Sequence, residues 1–172
     1  MRILNVGCGN DTYGTDFIDL YPSRPEVIKF DIEEAELPFE QETFDEVYAK
    51  NLLEHLGNPL SALRKMAKVL KKKGMIVIIT DNAGYWHFHM PWSNFHHGCL
   101  GKASHGQEDM HFMLFTKQHL TNLFHRLGFG AVTIDEWNDD TAWWERPFNW
   151  LLKHTWLYRR MSYQKIKVVG FK

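Results

Sequence analysis

Cysteine is scarce here: Cys8 and Cys99 are the only two in 172 residues. Two thiols cannot build a disulfide framework, so a reducing compartment is the simplest expectation. Paired CxxC motifs and HExxH are both absent, which removes the common zinc patterns; no metal site is expected. Long apolar runs are lacking too. The longest aliphatic stretch, Met75 to Ile79, is far too short to cross a bilayer, and no signal-peptide pattern precedes Gly7. A cytoplasmic protein is expected. Net charge is nearly missing, at -1, so charge gives no argument for nucleic acid or an anionic membrane as a partner. Internal repeats, linkers and low-complexity segments are also lacking.

What remains is 44% hydrophobic and 24% charged, the composition of a globular protein, at a length that suits one domain with a real core. Its most informative stretch is Ile3-Leu4-Asn5-Val6-Gly7-Cys8-Gly9-Asn10, an apolar run ending in two spaced glycines. Such a turn lets a ligand approach the main chain, because no Cβ stands in the way. Asp19 and Asp31 follow at the tips of the next two apolar segments, where a carboxylate can accept from ribose hydroxyls. Strands are expected at Arg2 to Val6, Asp16 to Leu20, Val27 to Asp31, Thr43 to Ala49 and Met75 to Thr80. A helix capped by Asn58, with Pro59 in its first turn, carries Leu60, Leu63, Ala67 and Leu70 on one face. Lys71 to Lys73 suit the negative end of its dipole, and Gly74 is its expected stop. A second helix is expected from Thr116 to Gly128, a strand from Phe129 to Glu136, a third helix from Pro147 to Met161, and a last strand from Lys165 to Phe171. Repeated strand-helix units predict a largely parallel sheet with ligands at its carboxyl edge.

Four blocks, in order, resemble the class I S-adenosylmethionine-dependent methyltransferases of the small, type 11-like methyltransferase-domain family. They are Leu4 to Asn10; Leu37-Pro38-Phe39 with Thr43 to Val47 and Leu53-Glu54-His55-Leu56; Arg64 to Thr80; and Phe115-Thr116 through Leu127-Gly128-Phe129. The likeness covers residues 1–82 and about 111–136. It implies an α/β fold with a Rossmann-like sheet, mostly parallel with an antiparallel last strand, in one domain over 1–172. Segments 83–110 and 137–162 read as a private insert and an aromatic helical extension. The resemblance further implies that S-adenosylmethionine is the cofactor. Gly7, Gly9 and Asn10 would pass close to its methionine part. Asp19 would hold the ribose hydroxyls, with Leu20 against the adenine. Asp31 would accept from the exocyclic amine, the Ile32 amide would face the ring, and Asn51 would lie near the sulfonium. A dinucleotide is the competing ligand, but Gly-x-Gly-x-x-Gly would need glycine where Thr12 stands, and 10–15 is too short for the pyrophosphate-binding helix.

The same short connections depart from the family, which places helices after the first two strands; here 10–15 and 21–26 allow turns only. The sheet face beside the first three strands is therefore expected to need cover. The third helix, with Trp156, is the candidate, within one chain or shared in a homodimer; a membrane-surface anchor is disfavoured because the helix reads as apolar all round. Segment 82–111 concentrates Tyr85, Trp86, Trp92 and six histidines, His87, His89, His96, His97, His105 and His111, at the edge where the family holds its acceptor. His87, His89 and His111 are the candidate proton acceptors, whereas His55 reads as structural, and each histidine also has a plain packing role open to it. Cys8 and Cys99 read as inert thiols. The Ala49-Lys50-Asn51-Leu52-Leu53 sequence lacks the Pro-Pro-Tyr signature of exocyclic-amine methylation, so a small-molecule acceptor is expected. The alternative is a non-catalytic cofactor-binding or scaffold module acting through a partner protein.

Overall fold

Short apolar runs broken by turn residues become strands β1 (Ile3–Val6), β2 (Asp16–Asp19), β3 (Val27–Lys29) and β4 (Phe44–Lys50). Helix α1 (Pro59–Val69), strand β5 (Leu70–Asp81), helix α2 (Lys117–Arg126), strand β6 (Ala131–Trp137), helix α3 (Arg146–His154) and strand β7 (Lys165–Phe171) complete the fold. The structure is a computed structural model and describes residues 1–90, 111–137, 145–155, 161 and 163–172. Trp92, His96, His97, Cys99, His105 and Trp156, singled out above, lie outside the described residues. Among those described, no helix is long and apolar enough to cross a membrane.

The seven strands form one sheet in the order β3-β2-β1-β4-β5-β7-β6. The first five run parallel, and β7 lies antiparallel between β5 and β6. One face is apolar. Val47 stands level with Leu4 and Ile76, and Ala49 with Ile78 and, across β5, Val168. Leu63 and Met66 of α1 and Leu120 and Phe124 of α2 join these residues in one buried cluster.

The expected α1 stop needs correction. The helix ends at Val69, and Leu70 is already extended. Phe44 pairs with Leu70 but Glu46 with Met75, so Lys71 to Gly74 bulge out of β5. Lys71 to Lys73 therefore do not face the helix end. Lys172 does: its Nζ donates to the carbonyls of Ala67 and Leu70, each at 2.8 Å. The helix needs a cation there because its last carbonyls have no partner within the helix.

A second correction concerns the sheet face without helices, which is not bare apolar surface. Ile3 stands level with Glu46 and Asn5 with Tyr48, so alternate residues on this face are polar. The short connection after β1 lays Tyr13 across it. The Tyr13 ring centroid is 4.8 Å from that of Tyr48, and its hydroxyl donates to Glu46 Oε1 at 2.9 Å. Asn5 Nδ2 in turn donates to the Tyr13 carbonyl at 2.9 Å. One loop tyrosine supplies cover that the family takes from helices. Helix α3 is also shorter than expected, ending at His154, and its buried Leu152 packs with Tyr85 and Trp86 beyond β5 rather than over β1 to β3.

Candidate functional site

β1 ends where Gly7 and Gly9 adopt φ of +66° and +51°, a region that side chains crowd. The loop between them is strapped to β2. Gly7 N donates to the Ile18 carbonyl at 2.9 Å, and Gly9 N to Asp19 Oδ2 at 2.7 Å. Asp19 Oδ1 accepts from Tyr21 N at 2.8 Å, and the Ser23 hydroxyl donates to the Gly9 carbonyl at 2.6 Å. Each Asp19 oxygen thus has one main-chain donor and keeps a second lone pair for another.

Gly7 is favoured by its conformation, and a side chain there would also have to displace that of Leu52. A Cβ there would stand 2.8 Å from Leu52 Cδ1. Leu52 follows Asn51, which sits at the tip of β4 with φ of +53° and donates its N–H to the Ile79 carbonyl at 2.8 Å. The ends of β2, β1 and β4 therefore bring Asp19, the glycine turn and Asn51 onto one rim, with Asn10 and Leu20 exposed beside it. Asp31 lies beyond β3, and its Oδ1 accepts from Glu33 N at 2.8 Å in a tight turn. The Ile32 side chain is buried in the main cluster, and its carbonyl accepts from Lys65 Nζ at 2.6 Å. Cys8 lies buried beneath the turn; burial and the nearby Asp19 charge push its pKa up, so it stays a thiol at neutral pH.

The three histidines separate into different surroundings. His111 Nδ1 stands 3.1 Å from Asp81 Oδ2, and Lys165 Nζ binds the other oxygen of the same carboxylate. His55 meets the His111 ring edge-on at 4.5 Å between centroids. Glu54, just before it, is fully buried and accepts from the Thr80 hydroxyl at 2.7 Å. This charged group closes the carboxyl ends of β4 and β5. Burial works against the ionised form of Asp81, but bonding to His111 and the Lys165 charge outweigh it and hold its pKa below the ordinary value. Burial, reinforced by Asp81, pushes the Glu54 carboxyl up.

His87 belongs to a second group, with Nδ1 2.6 Å from Glu145 Oε1. His89 Nε2 lies 2.8 Å from the Ala83 carbonyl. Among the described residues no group of three or more His, Cys, Asp or Glu side chains could hold a metal ion. Sequence reasoning missed Glu54, Asp81 and Lys165. A signal was present, since Asp81 ends an apolar run whose strand is buried on both faces, where a lone charge demands a partner.

The solved structures similar to this chain share its fold. A SAM-dependent methyltransferase from Archaeoglobus fulgidus is 16% identical, with TM-score 0.69, covering 99% of this chain and 86% of that one. An S-adenosylmethionine-dependent methyltransferase from Mesorhizobium loti is 17% identical, with TM-score 0.62, covering 99% and 90%. Phosphoethanolamine N-methyltransferase 2 of Haemonchus contortus, solved with S-adenosyl-L-methionine, is 16% identical, with TM-score 0.67; all of this chain matches 48% of that longer one. Among curated proteins none matches by sequence. The model of the methyltransferase domain family matches residues 1–134, well over half of the chain, and the protein belongs to that family.

Proposed function

We propose that this protein transfers the methyl group of S-adenosylmethionine to a small-molecule acceptor. The observation that carries the reading is the main-chain cradle at Gly7 and Gly9, free of Cβ atoms and strapped to Asp19 at the carboxyl edge of a parallel sheet. The residues fit the cofactor. Asp19 keeps acceptor capacity for two ribose hydroxyls, and the exposed Leu20 offers an apolar surface for the adenine. Asp31 and the Ile32 main chain face its edge, while Asn10 and Asn51 serve the amino-acid end. When bound, the sulfonium supplies an electrophilic methyl carbon.

The chain's own residues then position the acceptor, exclude water and take up its proton. Of His87, His89 and His111, we assign the proton to His111. Its Nδ1 is turned to Asp81, which leaves Nε2 as the accepting nitrogen. Lys165 keeps Asp81 ionised, so Asp81 orients the ring and stabilises the imidazolium that forms. His87 is held at Nδ1 by Glu145 in the same way and stays the second candidate, while His89, bonded to the Ala83 carbonyl, suits a wall of the pocket.

Calorimetry with S-adenosylhomocysteine tests the cofactor. Wild type should bind it, and Asp19→Ala should weaken binding by about 2–4 kcal/mol, the scale of charge-assisted hydrogen bonds. Equal affinity in the two proteins, or tighter binding of NAD, would overturn the assignment.

A further inference from the structure

Helix α3 is built inside out. Contrary to the expectation of a helix apolar all round, it buries Glu145 at the N-cap at 4% exposure and Asn149 at 5%, beside Leu152. It turns Trp150 and Leu151 outward at 63% and 52%, while the half-exposed Phe148 packs its ring on Trp86. Two polar contacts set this rotation. Trp86 Nε1 donates to Asn149 Oδ1 at 2.7 Å, and His87 Nδ1 meets Glu145 Oε1 at 2.6 Å. Both partners come from the segment that follows β5, so the helix is held by its polar side against the rim of the candidate site.

The net charge of -1 averages over a strong asymmetry. Residues 146–172 hold seven of the chain's 20 Lys and Arg and none of its 21 Asp and Glu, although Lys165 is spent on Asp81 and Lys172 on the end of α1. On α3 itself Arg146 and Lys153 are exposed beside the apolar residues, Lys153 with its Nζ 4.9 Å from the centroid of the Tyr163 ring. We propose that α3 is a membrane-surface helix, lying along an anionic bilayer with Trp150 and Leu151 in the headgroup boundary and Arg146 and Lys153 on the lipid phosphates.

Exposed aromatic and aliphatic side chains flanked by cations suit that boundary, which accepts apolar area and attracts positive charge together. At nine residues the helix is about 14 Å long, enough to lie on a bilayer and far too short to cross one. A second copy of the same face is a poor occupant, because a two-fold contact would set Arg146 and Lys153 against like charges. This placement does not depend on the methyl-transfer reading.

Vesicle flotation of the full chain tests it. The protein should float with phosphatidylcholine vesicles containing about 30% phosphatidylglycerol, not with pure phosphatidylcholine, and raised salt should release it. Trp150→Ser with Leu151→Ser should weaken that binding roughly tenfold or more without changing the melting temperature, since both side chains are exposed. Absence of flotation with the anionic vesicles, or flotation unchanged in the double variant, would overturn the proposal. So would light scattering that shows a dimer dissociated by Leu151→Ser, which would give the face to a second copy.

Discussion

Glu54 is fully buried, and while Oε2 accepts from Thr80, Oε1 meets no hydrogen-bond partner among the described residues. Its pKa lies above the ordinary 4.5, because burial and then the Asp81 charge disfavour the carboxylate, against the pull of Lys165. The sign follows from proton binding. Folding favours the protonated acid, so Glu54's contribution to stability is complete below about pH 4.5 and is lost as pH rises through the folded value. Asp81 runs the other way: its contribution is complete above the ordinary 3.8 and is lost only in stronger acid. Urea unfolding across the weakly acidic range should show wild-type stability falling with rising pH, and Glu54→Gln should remove that fall. A wild-type profile already flat above pH 4.5 would mean that Glu54 ionises as if in water. The glycine turn at the end of β1 and Asp19 at the end of β2 were legible as positions because spacing after an apolar run is a local signal, whereas Asn51 was reached only through the resemblance. The Asp81-Lys165 pair was not, since its members lie 84 positions apart and meet only once β7 docks on β5.

The junction of α1 with β5 shows how one residue type can serve two physical purposes. Gly74 after three lysines reads as a helix stop, yet the helix has ended at Val69, and Gly74 is not among the glycines with positive φ. Its requirement is space: a Cβ would lie 2.8 Å from Leu70 Cδ1, 2.9 Å from the Lys71 carbonyl and 3.0 Å from that of Asp45. Two of those three neighbours are main chain and yield little. Gly74→Ala should therefore cost about 1–3 kcal/mol by overpacking, measured by denaturant unfolding, despite alanine's entropic advantage. A neutral or stabilising result would show that the bulge can shift. Asn58 was readable as a cap, and Thr116 as a helix start, because each accepts within its own first turn, Asn58 Oδ1 from Ser61 N and Thr116 Oγ1 from His119 N. The far end of α1 was not, because its cation, Lys172, comes from more than a hundred residues away.

At the scale of the whole molecule, strand order and the polar second face decide how much else must pack on the sheet. The alternation Ile3-Leu4-Asn5-Val6 and Glu46-Val47-Tyr48-Ala49 announced that polar face, but the expectation, drawn from the resemblance, of an apolar face stripped of its helices hid it. Antiparallel β7 carries more than its seven residues suggest. It fills the gap between β5 and β6, brings Lys165 to Asp81, and leads on to Lys172 at the end of α1. A stop codon in place of Lys165 should abolish cooperative thermal unfolding, since Asp81 would lose its buried cation and β6 its strand partner. A truncated chain that still melts cooperatively would show that the parallel strands fold alone. The order of synthesis gives this arrangement a further meaning. β6 is made before β7, so until β7 follows it has no neighbour to pair with, and β5 carries an open edge. The sheet closes in its interior, by a strand made after both of its neighbours, and until β7 docks the first five strands form a parallel body with that edge open, waiting for a wedge.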